Sequence, residues 1–181
     1  HTALIMQQAG ARIVAVSDVS GGLYNPKGLD IPELLRRYRE KQEPLSESKL
    51  GEPITNEDLL QLDCTVLVPA ALSEQITGAN AGKLRCRILA EGATGPTTLE
   101  ADRILTDKGI FIIPDILANS GGVIVSYFEW VQDVQRFFWK ATDIQDRLQD
   151  IITSAFHRTL QFSVQRRTTM RMAALMSGID K

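Results

Sequence analysis

The residues best suited to chemistry lie in one stretch, 114–130, PDILANSGGVIVSYFEW. A strand, Phe111-Ile112-Ile113, runs into Pro114, which stops it. Beyond Asp115 and Asn119 come two adjacent glycines, Gly121 and Gly122. Val123, Tyr127, Trp130 and Val134 then recur at helical spacing and form an apolar face, with Ser126 at its edge. Paired glycines let a ligand come close to the backbone. The first amides of a helix have no partner within it and point outward as donors. The pattern points to a polar ligand held at a strand-to-helix turn. The plainer alternative is a tight turn whose glycines serve packing alone.

A second candidate sits near the start. Residues 12–17 read as a buried strand that Asp18 closes. A dinucleotide-binding unit runs strand, glycine-rich turn, helix, strand, then an acidic residue for the adenosine ribose hydroxyls. Residues 1–9 read as a helix ended by Gly10. The helix, second strand and acidic residue are therefore present, with no G-x-G-x-x-G in the sequence. The order implies a unit cut inside its first helix. Asp18 repels a 2′-phosphate, which favours NAD over NADP. Ser20 has a hydroxyl able to hold such a phosphate, which keeps NADP open. The competing reading of Asp18 is a turn aspartate.

The elements that must position these residues alternate between strand and helix. Residues 21–28 read as a turn-rich loop, and Asp30 caps a helix with Pro32 and Glu33 in its first turn. Leu34, Leu35 and Tyr38 give that helix an apolar face, and Arg36, Arg37 and Arg39 a solvated one. Residues 43–53 read as loop, and Thr55 caps a short helix through Leu62. Residues 65–68 form a strand stopped by Pro69-Ala70-Ala71, 73–82 a helix holding Asn80, and 86–90 a strand leading into the loop 91–96. Thr97 and Glu100 form a capping box for a helix that Gly109 ends. Thr142 and Gln145 cap the longest helix, with Ile144, Leu148, Ile151, Ile152, Ala155 and Phe156 in one stripe and His157 opposite. A last helix covers 168–177.

Together these imply an α/β fold: a Rossmann-like parallel sheet with helices on both faces, lacking the first strand and glycine-rich turn, plus C-terminal helices. One dinucleotide-binding domain is expected over 1–181, with 139–181 as its helical segment.

Stretch 114–130 closely resembles the signature of the glutamate dehydrogenases, in the glutamate/leucine/phenylalanine/valine dehydrogenase superfamily. Stretches 14–31, 67–77 and 89–102 resemble it in the same order, and Arg171-Met172-Ala173-Ala174 resembles the family's closing helix. The resemblance covers essentially the whole chain. It implies that Pro69-Ala70-Ala71 lies against the cofactor and that Asn119 holds the nicotinamide amide. It implies that Val123 and Ser126 line the amino-acid pocket, Ser126 reaching the distal carboxylate. Thr94 stands where the family usually has an asparagine near the nicotinamide, and a hydroxyl cannot copy an amide's two-sided hydrogen bonding. Ser120 replaces a usual alanine, and Asp133 stands where asparagine is common. Tyr127-Phe128-Glu129-Trp130 favours the glutamate branch.

Members of this family have two domains, and the catalytic lysine and aspartate belong to the one that this chain does not resemble. The resemblance implies no catalytic residue here and no turnover by the chain alone. In the full enzyme it implies oxidative deamination of L-glutamate to 2-oxoglutarate with NAD, NADP being possible, in a cytoplasmic homo-oligomer, typically a hexamer. Two alternatives stand beside it: a non-enzymatic fragment without dinucleotide binding, and the cofactor domain of a leucine, valine or phenylalanine dehydrogenase. Ser126 argues against the second, because an apolar side chain gives its hydroxyl no partner.

Composition is consistent with this. At 181 residues and a net charge of −2, the chain offers no basic footprint for nucleic acid or an anionic membrane. No apolar run approaches a membrane span. Cys64 and Cys86 lack metal-ligand spacing and read as buried thiols of a reducing cytosol; no metal is expected.

Overall fold

Leu23, Leu29, Ile31 and Leu34 form the core of the first of two units, His1–Asp63. The computed structural model describes residues 1–179. Asp180 and Lys181, the end of the expected helical segment, lie outside the described residues.

In the first unit the order is α1 (Thr2–Gln8), β1 (Ala15–Asp18), β2 (Gly21–Tyr24), α2 (Ile31–Lys41), a 3-10 turn (Leu45–Glu47), β3 (Glu52–Ile54) and α3 (Asn56–Leu60). Local chemistry sets several boundaries as expected. Gly10, at φ +94°, follows the end of α1, and Asp30 Oδ1 accepts from the Glu33 amide at 3.0 Å to start α2. Thr55 Oγ1 accepts from the Asp58 amide at 3.1 Å to start α3, which ends at Leu60 rather than Leu62.

Each of the two expected loops, 21–28 and 43–53, holds strand residues. Gly21–Tyr24 pairs antiparallel with β1, and β3 pairs antiparallel with β2. The glycines make this ladder possible. A side chain at Gly22 would stand 2.8 Å from the Ile54 carbonyl oxygen, so only glycine lets the strands meet there. Leu23, on the opposite face, is sealed in the core.

The second unit begins at Cys64. Its elements are β4 (Val66–Leu67), α4 (Gly78–Ala81), β5 (Ile88–Ala90), α5 (Leu99–Asp107), β6 (Phe111–Ile113), α6 (Asp115–Ala118), α7 (Gly121–Gln135), α8 (Ala141–Arg166) and α9 (Met170–Ile179). Strands β4, β5 and β6 form a parallel sheet in that order, Val66 opposite Ile88 and Leu89 opposite Ile112. Leu89, on the central strand, is fully buried, as are Ile76, Leu84 and Leu105. The fold class is therefore mixed α/β with a parallel sheet and helices, as expected from the alternation.

Other helix boundaries also differ from the sequence reading, the last helix among them, which is Met170–Ile179 rather than 168–177. The expected helix 73–82 is helical only at Gly78–Ala81. The amides of Glu74 and Ile76 bond the carbonyls of Gly95 and Pro96 at 2.8 and 2.9 Å, and this pairing with a distant loop wins over local helix formation. Asn80 is spent on the turn that remains, accepting from the Thr77 amide at 2.8 Å and donating to the Gln75 carbonyl at 2.9 Å. The cap of α5 is Thr98, not Thr97, and Glu100 instead lies against Gly78. Helix α8 starts ahead of Thr142, where Asp143 Oδ2 accepts from the Lys140 amide at 3.3 Å. His157 is exposed on α8, as its position opposite the stripe implied.

Candidate functional site

Ligands of open parallel α/β sheets bind outside the carboxyl ends of the strands. At those ends three segments meet: 68–71 after β4, 91–96 after β5, and Pro114 with α6 after β6. The Ala93 amide bonds the Pro69 carbonyl at 2.9 Å, and the Glu91 amide bonds the Ile113 carbonyl at 3.0 Å. Gly92 lets the first two segments touch, since a side chain there would stand 3.1 Å from Ala70 Cβ. Ala70, Ala71 and Thr94 are exposed, and Pro69 is buried behind them.

Asn119 joins this group from the end of α6. Its Nδ2 donates to the Ala93 carbonyl and to Thr94 Oγ1, both at 3.4 Å, the long end of the hydrogen-bond range. The amide is held in place without being saturated, which suits a group that meets a ligand. Pro69, Ala70, Ala71, Thr94 and Asn119 are thus brought together in one unit.

Helix α7 follows at once. A side-chain carbon at Gly121 would meet Ile152 and Leu148 of α8 at ordinary contact distances of 3.6 and 3.9 Å, whereas nothing stands within 4 Å of where a Gly122 side chain would be. Val123, Ser126, Tyr127, Trp130 and Val134 all face outward; Val123 is 76% exposed and Trp130 60%. This turns the expected apolar face the other way: the buried residues of α7 are Phe128 and Gln132. Gln132 gives no sequence signal, yet it is a structural residue. Its Oε1 accepts from the Trp139 amide at 2.7 Å, and Phe128 meets the Trp139 ring edge-on at 5.5 Å. Ser120, the departure from the family's alanine, turns its hydroxyl back on the Leu117 carbonyl at 2.8 Å.

Behind the strand ends lies a cluster whose role the sequence does not reveal. Arg171 of α9 donates from Nη2 to Glu91 Oε1 at 2.7 Å, from Nε to Asp102 Oδ1 at 2.8 Å and from Nη1 to Asp115 Oδ1 at 3.3 Å. Burial opposes the guanidinium charge more than any other single influence. The hydrogen bonds and charges of Glu91 and Asp102 together outweigh it and hold the Arg171 pKa above the ordinary arginine value. Asp102 and Asp115 also sit in the first turns of α5 and α6, where negative charge is favoured. A cleft of about 160 Å³ opens beside this cluster, lined by Asp102 and Arg171 together with Thr106, Phe111, Ser163 and Thr168 among others; Asn119 is not in its lining.

In the first unit, Asp18 ends β1 and is exposed. Its Oδ1 accepts from the Ser20 amide at 2.7 Å and from Ser20 Oγ at 2.6 Å, and Ser20 Oγ accepts from the Ser46 amide at 3.2 Å. Both Asp18 and Ser20 thus belong to one tight turn. That turn is the plainer role weighed for Asp18, and it leaves the carboxylate at the surface.

A parallel α/β unit with a half-buried amide, an exposed hydroxyl and a glycine-led helix at its strand ends has polar groups where open α/β sheets bind their ligands. The comparisons agree. Residues 1–181 match the family described as Glutamate/Leucine/Phenylalanine/Valine dehydrogenase, and the chain belongs to that family. It is 48% identical over 178 residues to the glutamate dehydrogenase of Thermotoga maritima and 45% identical over 181 residues to the catabolic NAD-specific glutamate dehydrogenase of Bacillus subtilis. These alignments cover 98% and 99% of the chain but 42% of each relative, so the chain spans well under half of their length. The crystal structure of the hetero-hexameric glutamate dehydrogenase from Thermus thermophilus matches with a TM-score of 0.86 at 32% identity, covering 96% of this chain and 40% of that one.

Taken unit by unit, the residues have chemistry that suits parts of a dinucleotide: Asn119 in the second unit carries a carboxamide, a group able to pair with another amide, and Asp18 in the first carries an exposed carboxylate, a group able to accept from hydroxyls. The glycine-rich turn that would cradle the pyrophosphate is not in the sequence.

Proposed function

We propose that this chain is the cofactor-holding part of an NAD-dependent glutamate dehydrogenase, which oxidatively deaminates L-glutamate to 2-oxoglutarate and ammonia. The observation that carries this reading is the meeting of Pro69, Ala70, Ala71, Thr94 and Asn119 at the carboxyl ends of β4, β5 and β6, next to the exposed start of α7. When bound, the nicotinamide supplies the hydride acceptor. Asn119 orients it through its amide, with Thr94 beside it. Asp18 takes the adenosine ribose, which favours NAD, and Ser20 fixes the Asp18 carboxylate. Val123 and Ser126 contact the glutamate side chain, Ser126 donating to the distal carboxylate.

No residue of this chain removes the proton from the amine. That role falls to the family's catalytic domain, in the part of the relatives that the chain does not match. The 181 residues alone are accordingly expected to show no turnover and to bind NAD weakly or not at all, because their sequence holds no glycine-rich turn for the pyrophosphate. The names of the relatives support NAD as the cofactor, and the hexameric neighbour supports an oligomer as the working form. The family resemblance supports a homo-hexamer of the cytoplasm.

The test is a chimera in which residues 1–181 replace the matching part of the Thermotoga maritima enzyme. Glutamate-dependent reduction of NAD is expected from the chimera and none from the 181-residue chain. A folded chimera that oxidises leucine or phenylalanine in preference to glutamate overturns the substrate assignment. A folded chimera with no dinucleotide binding overturns the reading as a whole.

A further inference from the structure

We propose that Arg171 is a positioning residue for Asn119: from α9 it sets the spacing of the β5 and β6 loops and thereby aims the Asn119 amide. The inference rests on the reading above for what Asn119 binds, but not for the geometry itself.

The connection is continuous. Arg171 Nη2 holds Glu91 Oε1, and the other oxygen, Glu91 Oε2, accepts from the Asp115 amide at 2.9 Å. Asp115 Oδ2 accepts from the Gly95 amide at 2.8 Å, so the β6 side reaches back to the β5 loop. The Asp115 carbonyl accepts from the Asn119 amide at 2.9 Å, and the Asn119 side chain closes the ring on Thr94. Arg171 is 80 residues from Glu91, 56 from Asp115 and 69 from Asp102, so this geometry exists only when α9 is docked.

Glu91, Asp102 and Asp115 converge on one guanidinium, whose fixed fork of N–H groups serves each in a different direction. Without it, three converging carboxylates repel, and Asp115 has no reason to keep facing Gly95. Asn119 is then held only by its two long contacts. Lysine restores the charge but not the three directions, so a purely electrostatic role would be rescued by Arg171→Lys and a positioning role would not.

The experiment uses the 181-residue chain labelled with 15N, and the variants Arg171→Lys, Arg171→Gln and, as a core control, Leu105→Ala. The Asn119 side-chain amide pair is assigned by its disappearance in Asn119→Asp. In Arg171→Lys and Arg171→Gln the Asn119 pair is expected to shift. The Gly95 amide is expected to exchange about tenfold faster or more, the loss expected for one hydrogen bond to a charged acceptor. The Asn80 side-chain pair, capped within its own turn, is expected to stay in place. Leu105→Ala is expected to lower overall stability while leaving the Asn119 pair unmoved. Should Arg171→Gln fail to fold, Arg171→Lys carries the comparison by itself. An unmoved Asn119 pair in Arg171→Lys, or an equal shift in Leu105→Ala, overturns the proposal. Titrating the chimera with NADH tests the functional reading separately: a folded chimera that ignores NADH removes the cofactor role and leaves the positioning intact.

Discussion

Arg171 Nη2 lies 2.7 Å from Glu91 Oε1, and the Glu91 side chain has no exposed surface. Both oxygens of this buried side chain are met, one by the guanidinium and the other by the Asp115 amide. Arg171→Ala removes the cation and leaves the Glu91 side chain buried without it, which costs about 3–5 kcal/mol in buried pairs of this kind. Urea denaturation followed by circular dichroism should show a loss of this order. Arg36, which bonds Glu33 and Glu40 on the solvent face of α2, is the contrast. Arg36→Ala should scarcely move the midpoint, because exposed pairs are screened and add little. Equal effects of the two substitutions would mean that the Glu91 site is wetter than its burial indicates.

Cys64 and Cys86, two residues ahead of β4 and β5 respectively, form no disulfide, and the Arg87 amide bonds the Cys64 carbonyl at 3.3 Å. Burial pushes the Cys86 thiol up to about 11 from 9.0, and the neighbouring Cys64 adds to the effect. Iodoacetamide at pH 8 should therefore label Cys64, which is half-buried, well before Cys86. The pH dependence has a definite sign. Between pH 9 and about 11 the unfolded chain releases the Cys86 proton and the folded chain retains it. Stability is thus undiminished by Cys86 below pH 9 and falls as pH rises toward 11. Cys86→Ala should lack this part of the alkaline decline, measured as the difference in urea midpoint from the parent chain. Parallel declines in the two proteins would refute the assignment.

Two glycines should part company. Gly22→Ala places a methyl 2.8 Å from the Ile54 carbonyl oxygen and 2.9 Å from its Cγ2, so β2 and β3 must separate. A loss of about 1–3 kcal/mol follows from such overpacking. Gly122→Ala meets no atom within 4 Å and lies inside a helix, where alanine is favoured over glycine by up to about 1 kcal/mol. It should leave thermal stability equal or slightly higher. If a ligand does approach the backbone there, Gly122→Ala in the chimera should raise KM for NAD or glutamate. Unchanged kinetics would return Gly121-Gly122 to a packing role.

What could be read in the sequence was mostly local. Asp30, Thr55, Gly10 and Gly109 mark helix ends through bonds to residues three or four away or through their own backbone freedom, and each sits where it was expected. The parallel strands could be read because β4, β5 and β6 are apolar runs, each broken by a proline or a glycine-rich loop. What could not be read is made by distant partners. Gly21–Tyr24 is a strand because Ile54 lies beside it, and residues 74–76 are not helical because 95–98 take their hydrogen bonds. Helix α7 shows the limit of periodicity. Its apolar stripe is real, yet spacing does not say which stripe faces inward, and Phe128 with Gln132 won that place through Trp139. Arg171 could be quoted as part of a motif, but its three carboxylates lie in three separate elements.

Cofactor choice provides the last test, and it rests on the turn of Asp18 and Ser20. One Asp18 oxygen is engaged by the Ser20 amide and hydroxyl, at 2.7 and 2.6 Å, so the carboxylate is fixed in direction at the end of β1. Under the proposed function its charge accepts the ribose hydroxyls of NAD and repels the 2′-phosphate of NADP. Asp18→Ser removes both effects and frees the Ser20 hydroxyl from its acceptor, leaving it able to donate to a phosphate. In the chimera, kcat/KM with NAD should fall by about ten- to a hundredfold, the worth of a hydrogen bond to a charged group. The value with NADP should hold or rise, so that the preference narrows or reverses. Stability should change little, because Asp18 is exposed and bonds only within its own turn. A parent chimera that already uses NADP better than NAD, or an Asp18→Ser variant with an unaltered ratio, would reduce Asp18 to a turn residue.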